Sequence, residues 1–129
     1  MASSYDSRDH LTVAIEGTFD VAVARNRLRQ LADRFELPTV LRARAAAAIT
    51  TACEAALFKA QTHQSRIDLT IHIIQDHTRQ GVKLEFHTPR EDTPNQQVDN
   101  QLERACDCLQ VHRDGDQNMI SMAIWAQDK

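Results

Sequence analysis

The stretch RIDLTIHIIQDHTRQGVKLEF, Arg66–Phe86, alternates apolar and polar residues twice. Ile67, Leu69, Ile71 and Ile73 alternate with Asp68, Thr70 and His72, and after DHTRQG the residues Val82, Leu84 and Phe86 alternate with Lys83 and Glu85. A period of two is that of a strand with one face on a core and one toward water. Two such runs joined by a short polar loop predict an antiparallel hairpin. The fold is therefore built on a sheet with one apolar face, and the remaining segments must cover that face.

Upstream, the alanine-rich segment around AAAAITTACEAALFKA, Ala45–Ala60, reads as a long helix opening near Thr39. Leu41, Ala45, Ala48, Ile49, Ala52, Cys53, Ala56 and Leu57 recur at the i, i+3, i+4 spacing of a core-facing stripe, and the alanines allow close approach. Before it, Thr18 is placed to cap a helix through FDVAVARNRLRQLADRF, with Val21, Ala24, Leu28, Leu31 and Phe35 on one stripe. Pro38 separates the two helices. LTVAIEG, Leu11–Gly17, alternates as a further strand, and residues 1–10 read as a polar tail. Downstream, HTPREDTPNQQ is a loop, VDNQLERACDCL a short helix, and LQVHRDGDQNMISMAIW two strands about a turn at Asp114 and Gly115. The order β-α-α-β-β-α-β-β predicts a two-layer α/β sandwich of a single domain, with a mostly antiparallel sheet and the helices on one face.

Composition narrows the partners. The chain has 129 residues, 42% of them hydrophobic, and a formal charge of −3, and its arginines are spread among Asp and Glu. That distribution gives no basic footprint for nucleic acid. No apolar run has the length of a membrane span, and the start MASSYDSRDH lacks a signal-peptide pattern, so the expected location is the cytoplasm. Cys53, Cys106 and Cys108 are read as reduced, buried thiols, since no second ligand pair at zinc-motif spacing accompanies C-x-C. His72, Glu85 and His87 share the polar side of neighbouring strands and are read as a solvated face in preference to a metal site.

From Phe19 to Trp125 the chain resembles the small GHKL-type serine kinases of bacterial partner-switching pathways, the anti-sigma factors and their stress-signalling switch-kinase relatives. The residues that carry the resemblance are FDVAVARNRLRQLA, the helix ARAAAAITTACEAALFKA, the strand GVKLEF and the terminal LQVHRDGDQNMISMAIW. It implies the histidine-kinase-like ATPase fold. In that family the second helix carries a Glu that acts as base and, four residues on, an Asn that helps hold Mg²⁺. The matching positions here are Thr51 and Ala55, which offer neither. The Asp-x-Gly-x-Gly loop that reads adenine falls on Thr88, Arg90 and Asp92, and no glycine lies between Asn95 and Leu102 to form a lid. With three glycines in all, Gly17, Gly81 and Gly115, the chain has no glycine-rich phosphate loop.

The resemblance thus implies a degenerate, non-catalytic member with no nucleotide or metal cofactor, acting by protein binding. An Arg on the family's first helix contacts the sigma factor or STAS-domain partner, and the match falls on Arg25, with Arg29 beside it on the same helix face. Expected partners are a STAS-domain protein, a sigma factor or a phosphatase, with a homodimer as an open alternative. Two other functions stay open at this point. One is an active ATP-dependent serine kinase, and the other a small-molecule sensor using the vacated pocket near His87 to Asn95.

Overall fold

The computed structural model describes residues 6–60, 67–89, 96–114 and 117–126. Along the chain lie β1 (Asp6–Ile15), α1 (Thr18–Arg34), α2 (Thr39–Ala60), β2 (Ile67–Gln75), β3 (Gln80–Pro89), α3 (Gln96–Ala105), β4 (Cys108–Asp114) and β5 (Gln117–Trp125). The strands form one sheet in the order β1-β2-β3-β5-β4, and every neighbouring pair is antiparallel. The described residues form a mixed α/β domain with a five-stranded antiparallel sheet and three helices.

The alternation read from Arg66–Phe86 decides how the layers meet. Ile67, Leu69, Ile71, Ile73, Val82, Leu84 and Phe86 are buried in one cluster with Ala24, Leu28 and Leu31 of α1, Leu41, Ala45, Ile49 and Cys53 of α2, and Leu102 of α3. All three helices therefore contribute to the layer on the same face. Each buried Ile, Leu or Phe stabilises the fold by about 2 kcal/mol, most of which the ordering of the chain offsets. Among the described residues, no helix is long and apolar enough to cross a membrane.

The opposite face stays polar, with Thr12, Thr70, His72, Lys83 and Glu85 on it. One apolar corner interrupts it. Ile74 is fully buried although its neighbour Ile73 already faces the helices, because Trp125 covers it at Gly81. A Cβ built on Gly81 would stand 2.7 Å from Trp125 Cε3 and 3.0 Å from Ile74 Cγ1, so only glycine admits the indole there. The Arg79 guanidinium lies 4.7 Å from the Trp125 ring centroid.

Three local readings change. β1 begins at Asp6, five residues inside the stretch read as a polar tail. Polar pairing carries this extension: Ser7 Oγ lies 3.4 Å from His72 Nδ1, Arg8 bonds Gln75, and Arg34 pairs with Asp9 at 2.8 Å. A bulge between Ser7 and Asp9 then bends the edge strand, which discourages pairing with other chains. Thr18 is the first helical residue and Gly17 the N-cap, without a side-chain cap bond. The Asp20 carboxylate instead accepts from the Glu16 N–H at 2.8 Å. The third helix stops at Ala105, and Leu109 belongs to β4, because the Asp107 N–H already bonds Ala123 O at 2.9 Å. The turn at Gly115 lies outside the described residues.

Candidate functional site

The link between α1 and α2 sets the geometry of the helix layer. α1 ends with Glu36 N–H on Asp33 O at 3.3 Å and Leu37 N–H on Ala32 O at 3.0 Å, the two bonds of a Schellman ending. Glu36 takes the left-handed position with φ 53°, where glycine is the usual residue. Leu37 is buried, and Pro38 precedes the first turn of α2. Arg42 then binds back onto the end of α1: Nε donates to Leu37 O at 2.8 Å, Nη2 to Ala32 O at 3.2 Å, and Nη1 pairs with Asp33. Arg25, in the middle of α1, reaches Thr50 Oγ1 in the middle of α2 at 3.3 Å. The helices therefore run antiparallel. Ala24 and Ala32 of α1 and Ala45 and Ala48 of α2 are buried, and side chains this small allow close helix approach.

Above this contact lies a groove of about 530 Å³, lined by Arg25, Asn26, Leu28 and Arg29 of α1 and Thr39, Arg42, Ala43 and Ala46 of α2. The methyl groups of Ala43 and Ala46 line it over the buried Leu28, and it is walled by two helices, so it is open along its length. The cations differ in what holds them. Arg42 is fixed by the Ala32 and Leu37 carbonyls and Asp33, and outside the groove Arg34 and Arg44 are paired with Asp9 and Asp107. Arg25 and Arg29 have only neutral acceptors: Thr50 Oγ1, itself donating to Ala46 O at 3.2 Å, and Asn26 Oδ1 at 2.8 Å. Among the described residues neither is ion-paired. Arg27, between them in α1, does not line the groove.

The remaining candidates fall as follows. Thr51 is half-buried on α2, and Ala55 lies in α2 with its side chain outside the described residues. Thr88 is buried on β3, opposite the buried Asn118 of β5. Arg90 and Asp92 lie outside the described residues, as does most of the pocket expected near His87 to Asn95. A hydroxyl at Thr51 supplies no base near neutral pH.

On the polar sheet face, His72 Nε2 meets Glu85 Oε1 at 2.8 Å and Lys83 Nζ meets Glu85 Oε2 at 3.2 Å. Burial opposes ionisation of Glu85, but the hydrogen bonds from His72 and Lys83 outweigh it and hold the carboxyl below its usual range. The group beside His72 is His10, with ring centroids 5.5 Å apart, while His87 stands opposite Asp68. Among the described residues, no group of three or more His, Cys, Asp or Glu is placed to hold a metal ion.

The thiols divide. Burial, with the Glu54 charge second, pushes Cys53 up to about 12, and burial pushes Cys106 up to about 11. Cys108 is exposed rather than buried, because it opens the edge strand β4 opposite Ala123 with its side chain off the core.

Compared with protein-family models and with curated proteins, the chain gives no match. The groove is the feature that sequence reading did not reach. Thr39, Ala43, Ala46 and Thr50 do repeat at i, i+3, i+4 spacing beside the buried stripe, but only the pairing of the helices shows that Arg25 and Arg29 stand on the facing wall.

Proposed function

We propose that the chain is a non-catalytic regulatory protein of the GHKL type that binds another protein through Arg25 and Arg29 in the cytoplasm. The setting is a bacterial partner-switching or sigma-regulatory circuit, and the partner is a STAS-domain protein, a sigma factor or a phosphatase. The observation that supports it best is the pair of guanidiniums beside the groove, which among the described residues bond neutral oxygens and no carboxylate. Exposed arginine next to apolar surface is the composition of a binding hot spot. The absence of kinase chemistry rests on sequence: Thr51 and Ala55 stand where the resembled kinases carry base and metal ligand, and Thr88 where they carry the adenine-reading Asp.

Titration calorimetry with Mg²⁺ and ATP tests this reading. No saturable heat is expected at millimolar nucleotide. A micromolar dissociation constant would instead make the chain an active-kinase candidate and remove the proposal.

A further inference from the structure

We infer that the α1–α2 groove seats an acidic amphipathic helix supplied by the partner protein. This rests on the protein-binding reading above and adds the chemistry of what is bound.

Shape gives the first part. Ala43 and Ala46 present only methyl groups, so the ridge of a third helix can settle between α1 and α2 at the 8–10 Å axis separation of packed helices, about. An open trough between two helices fits a rod-like segment and leaves a compact small molecule largely in solvent. Exposed apolar residues extend the trough at both ends. Phe19, 78% exposed, precedes Asn26 by seven residues and so lies on nearly the same line of α1. Val40, 66% exposed, lies next to Thr39 and three residues before Ala43. From Phe19 to Arg29 the footprint is about 15 Å long, which matches roughly three turns of a partner helix.

Charge gives the second part. Arg25 and Arg29 are four residues apart on one wall, about 6 Å along the axis, or close to one turn. Each now bonds a neutral oxygen, Thr50 Oγ1 or Asn26 Oδ1. A carboxylate in either place makes a stronger, charge-assisted bond and matches the fork of the guanidinium. Two carboxylates spaced i, i+3 or i, i+4 on a helix meet the two cations together. A basic segment is repelled from the same wall. Nucleic acid is disfavoured because, among the described residues, the cation on the facing wall is Arg42, which Asp33 and the Ala32 and Leu37 carbonyls already hold.

The test uses a surface-displayed library of amphipathic helices about 20 residues long, selected on the full chain. Enriched helices are expected to carry an apolar stripe flanked on one edge by carboxylates three or four apart. Their affinity should fall as salt is raised, and by about tenfold or more in Arg25→Glu/Arg29→Glu and, independently, in Ala43→Glu. All three positions are on the surface, and circular dichroism with the thermal midpoint verifies that both variants are folded. Enrichment of basic or uncharged helices, binding that survives both variants, or no enrichment overturns the inference. The first two outcomes leave the chain a protein binder with a different docking site. The wider reading fails separately, if no cellular protein is captured in an Arg25- and Arg29-dependent way.

Discussion

Replacing Asp107 by Ala should loosen the whole helix layer, because one carboxylate ties α2, the start of β4 and the end of β5 together. Its oxygens accept from Arg44 Nη2 at 2.8 Å, Arg44 Nη1 at 3.3 Å and the Trp125 N–H at 2.7 Å. The bond from the Trp125 amide is charge-assisted and contributes about 1.5–2 kcal/mol. The Arg44 pair is 29% and 38% exposed, so solvent screening limits it to about 0.5–1 kcal/mol. The expected loss is about 2–3 kcal/mol, and for a chain of this length the thermal midpoint falls on the order of 10 °C. Asp107→Asn keeps one acceptor and should lose about half as much.

The pH dependence has a definite sign. Burial works against the charge, yet the bonds from Arg44 and the Trp125 N–H hold Asp107 below the usual carboxylate range. A depressed folded-state pKa contributes stability that is complete above the unfolded value, about 3.9, and lost as pH falls through the folded one. The gap between the wild type and Asp107→Asn should therefore be full at neutral pH and shrink below about pH 4. Urea denaturation followed by circular dichroism measures it. A midpoint for Asp107→Ala within about 2 °C of wild type, or a gap that does not change with pH, would mean that Asp107 does not tie these elements together.

Gly81→Ala places a methyl against Trp125, Ile74 and the Ile124 carbonyl, and should cost about 1–3 kcal/mol with a shift in tryptophan fluorescence, read by chemical denaturation. Glu36→Gly relieves the left-handed position at the end of α1 and should raise stability by about 1 kcal/mol in the same assay. A chromogenic disulfide reagent at pH 8 should label Cys108 rapidly, whereas Cys53 and Cys106 react only after denaturation.

The parts of the fold legible in the sequence are those that local period decides. Ile67, Leu69, Ile71 and Ile73 mark β2, and Ala24, Leu28 and Leu31 mark the buried line of α1, because each segment faces the core on one side only. The polar half of β1 was hidden, since Asp6 to His10 are held by partners more than twenty positions away in sequence, Arg34, His72 and Gln75. The Asp107–Arg44 clamp joins residues 63 apart and has no local signal at all. On the polar sheet face, neighbouring strands were enough to bring His72 and Glu85 together, but only the register of β1 on β2 decides that His10, not His87, completes the group. The site was half legible. Arg25 and Arg29 stand out as cations four apart, whereas the apolar trough beside them exists only because α1 turns back onto α2 at Glu36.

In the function proposed above, the chain works by holding another protein at Arg25 and Arg29. Quantitative affinity capture from the native cell, comparing the wild type with Arg25→Glu, tests it most directly. Reversing this charge should weaken the contact by about 2 kcal/mol, so the captured partner should fall roughly thirtyfold while the thermal midpoint stays unchanged. Equal capture of every protein by both forms would contradict the account and return Arg25 to an ordinary solvated helix face.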